Sequence, residues 1–246
     1  MPRAKRPVLL CHDGSPDARD AIERSTSLLG EHDVVVEPRP PSHRAILKRA
    51  REHQVALIVV ASRATNAVPP SPLTPISAAV VARAHIPVLI VHAQEAPEGG
   101  PILLCFDGSA QARVAIERAA DLLIERDAIV ASFLEPVDDV RLLQKTLPWP
   151  PPAETERRLA RLDRDEAEFL TQKAAEGTAF ASSCGLAARP LAVEGPGAAA
   201  DRLLDAAAAT EAACIVVGHR TTTTLGESTA LALAHHTDRP LLVVPA

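Results

Sequence analysis

The sequence predicts an α/β protein of two tandem, doubly wound parallel-sheet domains, the first truncated by one β–α unit. Three observations carry this. Residues 7–29 (PVLLCHDGSPDARDAIERSTSLL) and 101–123 (PILLCFDGSAQARVAIERAADLL) agree at fifteen of twenty-three positions without a gap, at an offset of 94. Residues 56–63 (ALIVVASR) and 86–93 (IPVLIVHA) recur as 213–220 (ACIVVGHR) and 239–246 (RPLLVVPA), at offsets of 157 and 153. Short apolar runs alternate with helical stripes, and that alternation builds a parallel sheet with right-handed crossovers.

The elements follow in order. Residues 8–12 and 102–106 are continuous apolar runs, as strands buried on both faces should be. Each ends in Asp-Gly-Ser, and Ser15 and Ser109 are natural helix N-caps. Ala18, Ala21, Ile22, Ser25 and Leu29 then keep a helical stripe, repeated by Ala112, Ala115, Ile116, Ala119 and Leu123. Residues 34–47 align with 191–204 at the offset of 157, so the second half carries 63 residues that the first lacks. The loss falls just before or within residues 34–37, where one strand stands in for two. Whether that strand pairs as the second or the third of its sheet stays open. In the second half, strands are predicted near 102–106, 128–134, 188–193, 213–218 and 240–244. Helices are predicted near 110–124, 154–181, 197–210 and 228–237. Residues 147–152 (LPWPPP) read as a stiff connector before the long charged helix. The domains divide as 1–96 and 97–246. Each is expected to keep its own sheet, with the final strands, near 87–92 and 240–244, meeting across a pseudo-two-fold as the subunits of a homodimer do.

The 246 residues suffice for two hydrophobic cores, and a 47% apolar composition excludes a disordered chain. Four Phe, one Trp and no Tyr provide no base-stacking platform, and a net charge of −5 provides no footprint for nucleic acid or an anionic membrane. No apolar run approaches the roughly 18 residues of a membrane span, and the amino-terminal residues do not form a signal peptide, so a cytosolic (cytoplasmic) protein is expected. The four cysteines form no Cys-x-x-Cys pair, and Cys11 and Cys105 read as buried small hydrophobes. The histidines lack metal-ligand spacing: His235 and His236 are adjacent and point about 100° apart on a helix. Ser228 and His235 stand about 10.5 Å apart along a helix axis, too far for a nucleophile and its base. A dedicated enzyme is therefore disfavoured, although a weak ATPase is not excluded.

Asp13 and Asp107 close the first strand of each half, at the crevice where open parallel sheets bind ligands. Two readings stay open there: a carboxylate that accepts hydrogen bonds from a ribose or adenine, or one that caps its own turn while Gly supplies an unusual φ.

The Asp-Gly-Ser turns, CIVVGHR (214–220), GESTALALAHHTDRP (226–240) and the closing LLVVP, echoed by IVVASR and HIPVLIV, resemble the universal stress protein family over nearly the whole chain. The resemblance implies an adenine nucleotide alpha hydrolase-like fold with strand order 3-2-1-4-5 in each complete domain and dimerisation through the last strand. Nucleotide-binding members carry Gly-x-x-Gly, nine residues, then Gly-Ser or Gly-Thr. Such glycines let backbone N–H groups close on phosphates at a helix N-terminus. In the first half Ala61 and Ala64 replace the two glycines, four prolines remove backbone donors from the loop, and Thr74-Pro75 stands at the Gly-Ser position. In the second half Gly218 is kept, Thr221 replaces the other glycine, the loop is short, and Glu227-Ser228 stands at the Gly-Ser position. The resemblance thus leaves room for ATP or AMP only in the second half, held by Asp107, Gly108, Gly218, His219, Arg220, Gly226, Ser228 and Thr229. It implies a stress-response regulator or interaction scaffold with an unknown protein partner. This would be an intramolecular pseudo-dimer with at most one nucleotide site; an ATP- or AMP-binding sensor is the alternative.

Overall fold

The computed structural model of the chain describes residues 6–29, 32–38, 42–62, 74–92, 99–123, 126–134, 153–195, 197–219 and 229–245. Within the first half they form β1 (Val8–His12), α1 (Pro16–Thr26), β2 (Val34–Pro38), α2 (His43–Glu52), β3 (Leu57–Ser62), α3 (Pro75–Arg83) and β4 (Val88–His92). The second half forms β5 (Ile102–Phe106), α4 (Ala110–Leu122), β6 (Ala128–Ser132), α5 (Ala153–Ser183), β7 (Ala188–Ala192), α6 (Ala199–Ala209), β8 (Cys214–His219), α7 (Thr229–His236) and β9 (Leu241–Pro245). The connector at 147–152 lies outside the described residues.

The strands run in the order β2-β1-β3-β4-β9-β8-β5-β6-β7. Every neighbouring pair is parallel except β4 and β9, which are antiparallel. The second half reads 3-2-1-4-5 in its own strand numbering. The expectation of two separate sheets gives way here. Because the final strands meet through backbone hydrogen bonds, the halves share one nine-stranded sheet.

The register of that junction carries a pseudo-two-fold. Leu89 faces Leu242, while Val88 faces Val243 and Ile90 faces Leu241. At the repeat offset of 153, Leu89 and Leu242 are equivalent positions, and the two flanking pairs exchange under the same operation. That is the self-complementary pattern of an isologous contact. A second contact obeys it: Leu29 and Leu123, equivalent at offset 94, form an antiparallel bridge where the chain leaves α1 and α4. Beside it, Arg126 Nη2 donates to the carbonyl of Ser27 at 3.1 Å.

The single strand that stands for two takes the second seat. Val8 faces Val34 as Ile102 faces Ala128. The Val8 and Ile102 N–H groups donate to the backbone carbonyls of Asp33 and Asp127, both at 2.8 Å. Yet β2 leads into α2, the counterpart of α6, which follows the third strand of the complete half. The residues record this splice: Asp33 and Val36 repeat Asp127 and Val130 at offset 94, while Val36 and Glu37 repeat Val193 and Glu194 at offset 157. The join therefore lies inside β2. With the helix between the two strands gone, Val34 and Val36 are each 52% exposed, whereas Ala128 and Val130 lie buried.

Helices α2, α3, α6 and α7 pack on one face of the sheet, and α1, α4 and α5 on the other. Each apolar layer runs across the β4–β9 junction, so the two halves share their core. Cys11, Cys105 and Cys214 are buried in it, as expected for the first two, and Cys184 is half-buried.

Candidate functional site

The crevice of the second half opens where the chain leaves β5 for α4 on one face of the sheet and leaves β8 for α7 on the other. Asp107 and Gly108 follow the carboxyl end of β5, Gly218 and His219 end the adjacent parallel strand β8, and Thr229 opens α7. Arg220, Gly226 and Ser228 fall outside the described residues.

The Asp-Gly-Ser turn is built the same way twice. Asp107 Oδ1 accepts the Ser109 N–H at 2.8 Å, and Asp13 Oδ1 accepts that of Ser15 at 2.9 Å. Gly108 and Gly14 take φ values of 84° and 86°, which favour glycine. Ser109 Oγ then accepts the Ala112 N–H at 3.1 Å, and Ser15 Oγ that of Ala18 at 3.2 Å, so both serines cap their helices. Of the two roles open for these aspartates, the turn cap is in place in both halves. Asp107 remains exposed, so its carboxylate is accessible from the crevice.

Gly218 has a packing reason that the motif alone did not reveal. A Cβ there would lie 2.8 Å from both the carbonyl carbon and the oxygen of Gln111, backbone atoms in the first turn of α4. The missing side chain lets α4 settle on β8 through its alanines. Ala61 holds the equivalent place in the first half. His219 is 6% exposed, and burial pushes its pKa below the ordinary histidine value. Its ring belongs to the wall of the crevice more than to its open space.

Sequence reasoning missed Lys173 of α5. Its Nζ lies 3.3 Å from where a Gly108 Cβ would stand, so it overhangs the Asp-Gly-Ser turn. It pairs with Glu176 at 2.9 Å, and Arg113 of α4 pairs with the same carboxylate. The Lys173 hydrogen bond leads in holding the Glu176 carboxyl below its ordinary range. Arg113 also lies over the rings of Phe180 and Phe106, 5.1 and 5.8 Å from their centroids. Gly177 makes the seat for this helix: a Cβ there would come within 2.7 Å of Phe106 and Val130. The Lys-x-x-Glu spacing was the available signal, but only the fold shows which helix face meets the turn. The first half lost the counterpart of α5 and with it this cation.

At the first-half position where the motif would place Gly-Ser, Thr74 instead caps α3. Its Oγ1 accepts the Ser77 N–H at 3.2 Å and shares a 2.9 Å hydrogen bond with the Ser77 hydroxyl. Pro75 occupies the first helical turn and has no N–H to offer.

Among the described residues no three His, Cys, Asp or Glu side chains converge as a metal site, and no helix is long and apolar enough to cross a membrane.

Similarity to known proteins follows the fold. A comparison with curated proteins gave no match. A universal stress protein from Archaeoglobus fulgidus DSM 4304 superposes with a TM-score of 0.57 at 11% identity, covering 98% of this chain and 97% of that one. A putative universal stress protein from Pseudomonas aeruginosa UCBPP-PA14 gives a TM-score of 0.52 at 18% identity, covering 96% of this chain and 81% of its own. A functionally unknown protein, PA1789 of Pseudomonas aeruginosa PAO1, gives 0.51 at 17%, with coverage of 96% and 80%. At these identities the likeness is one of fold. The family model described as "Universal stress protein family" matches residues 31–92 and 100–245, two segments that together span most of the chain. The chain belongs to the universal stress protein family.

Proposed function

We propose that this protein is a cytosolic stress-response regulator or interaction scaffold, a fused pseudo-dimer whose first half binds no nucleotide and whose second half binds at most one. The observation that carries this reading is the cap at Thr74. A phosphate cradle needs free N–H groups at a helix N-terminus. Here Thr74 Oγ1 takes one such donor for α3, and Pro75 lacks one. In the second half, Gly218 is accounted for by the approach of α4, without appeal to a phosphate. The first half then serves as the structural partner of the second, in the way one subunit of a homodimer serves the other. A protein partner, a further homodimer and the absence of a dedicated catalytic group belong to the same reading.

One observation favours a second reading, an ATP or AMP sensor confined to the second half. Lys173 sets a cation above Gly108, and Asp107 is exposed beside it. The site would comprise Asp107, Gly108, Gly218, His219, Arg220, Gly226, Ser228 and Thr229, with Lys173 added. To decide between them, the purified protein is denatured and the supernatant chromatographed for adenine nucleotide. A separate, nucleotide-free sample of the native protein is then titrated calorimetrically with ATP and Mg²⁺. No released nucleotide and no heat at millimolar ATP supports the scaffold. Micromolar binding that Lys173→Met weakens tenfold supports the sensor.

A further inference from the structure

We infer that the first half carries a ligand site at the opposite end of its sheet, built for an amphipathic anion: an apolar body bearing one carboxylate or phosphate. A cavity of about 390 Å³ opens below the amino ends of β1, β3 and β4, between α2 and α3. That volume is of small-molecule size. Its floor is apolar, formed by Ala50, Val55 and Ile58, all buried. Its rim carries Arg6, Arg51, Arg83 and His85, and none of its described lining residues is acidic.

Two of these arginines have an ordinary reason to be there. Arg51 and Arg83 lie in the last turns of α2 and α3, where helix carbonyls favour cations. That reason does not reach Arg6, which precedes β1. The repeat keeps it only in part: α6, the counterpart of α2, has no basic residue in its last turn, whereas α7, the counterpart of α3, ends in His235 and His236.

The second half provides the internal comparison, because repeat offsets identify each lining position. Arg6, Arg51 and His85 correspond to Gly100, Ala208 and Asp238, while Arg83 corresponds to His236. Ile86 corresponds to Arg239, whose Nη1 donates to the carbonyl of Ala212, the counterpart of Val55, at 2.7 Å. Gly100 lies flush on Glu211: a Cβ there would stand 1.9 Å from the Glu211 carbonyl oxygen, so no side chain can take the place of Arg6. One copy thus plugs this space with an inward arginine. The other leaves it open, lines its floor with aliphatic carbon and turns its cations to the rim. Charge at the rim and carbon at the floor fit a ligand with both characters. A bare phosphate would leave the floor unused, and a neutral hydrocarbon would bring no counter-charge to the arginines, of which Arg51 donates its Nε–H only to the neutral Leu47 carbonyl at 3.1 Å. The site is independent of the nucleotide crevice, which lies at the carboxyl ends of the strands.

The full-length protein is titrated calorimetrically with octyl phosphate, octanoate and inorganic phosphate. The expected result is saturable one-to-one binding of the two amphiphiles, with inorganic phosphate at least tenfold weaker. Ile86→Arg copies the plug of the second half and should abolish binding although it adds positive charge. The double variant Arg51→Ala/Arg83→Ala alters only exposed side chains and should weaken binding at least tenfold while leaving the circular dichroism spectrum unchanged. Absence of saturable binding by either amphiphile overturns the inference. So does binding that survives Ile86→Arg in a folded protein, which marks a diffuse cationic surface, or binding indifferent to the double arginine variant.

Discussion

Gly218→Ala separates a packing glycine from a phosphate-binding one. The added Cβ would sit 2.8 Å from the carbonyl carbon and oxygen of Gln111 and 3.2 Å from the Ala112 nitrogen, all of them backbone. Ordinary carbon contacts begin near 3.4 Å, so at least 0.6 Å must be found. No side-chain rotation can provide it. The first turn of α4 has to lift off β8, loosening Ala112, Ala115 and Ile116, which are all but fully buried. Overpacking of this kind costs about 2–3 kcal/mol. For a protein of this size that lowers the melting temperature by roughly 5–10 °C. The assay is thermal unfolding followed by far-ultraviolet circular dichroism in nucleotide-free buffer, with Ala61→Gly as the matched control in the first half. That control should lose only about 0.5–1 kcal/mol, from added strand flexibility. If Gly218→Ala melts with the parent protein, the packing explanation is wrong and a ligand becomes the better reason for the glycine.

Three further outcomes follow from the structure. Thr74→Ala removes the α3 cap and leaves the hydroxyl of Ser77, which is 3% exposed, without its partner, so stability should fall by about 2–3 kcal/mol in denaturant titrations. Burial pushes the pKa of His92 down to about 4, against a smaller opposing pull from Asp238. Its folded value lies below the ordinary 6.5, so the unfolded chain binds the proton first as pH falls. His92 therefore favours folding fully above pH 6.5, and up to about 3 kcal/mol is lost between pH 6.5 and 4. Melting temperatures across that window should fall more gently for His92→Leu than for the parent. Lastly, burial pushes the thiols of Cys11 and Cys214 up to about 12 and raises that of Cys105 further, whereas Cys184 is only half-buried. A thiol reagent at pH 8 should titrate one cysteine quickly and three only after unfolding; two or more fast thiols would contradict the burial described.

Much of this fold was legible because the chain states it twice. The repeated apolar runs located β1 and β5, and the helical stripes located α1 and α4, since buried strands and half-buried helices leave different periods in sequence. The seat of β2 was not decided by the alignment of residues 34–47, which follows only its third-strand half. Asp33 and Val36, read at the other offset, place the splice inside the strand. The crevice was harder to read. Gly218 looked like part of a ligand motif because motif and packing ask for the same residue, and only the 2.8 Å distance to Gln111 separates them. Lys173 was invisible as a site residue because its position depends on the angle at which α5 crosses β5, fixed by Gly177 against Phe106. Three of the four first-half loop prolines, Pro69, Pro70 and Pro72, fall outside the described residues. Thr74 and Pro75 show what replaced the grip: a helix closed by its own side chain.

The most direct test counts nucleotides per chain. Native mass spectrometry of the intact protein, equilibrated with millimolar ATP and Mg²⁺, resolves zero, one or two bound molecules by mass. The expected spectrum holds the unliganded chain, with at most one nucleotide, and Thr74→Ala leaves that number unchanged. A saturable second nucleotide on the same chain would mean that the capped helix of the first half still grips phosphate, contradicting the reading of that half as a structural partner.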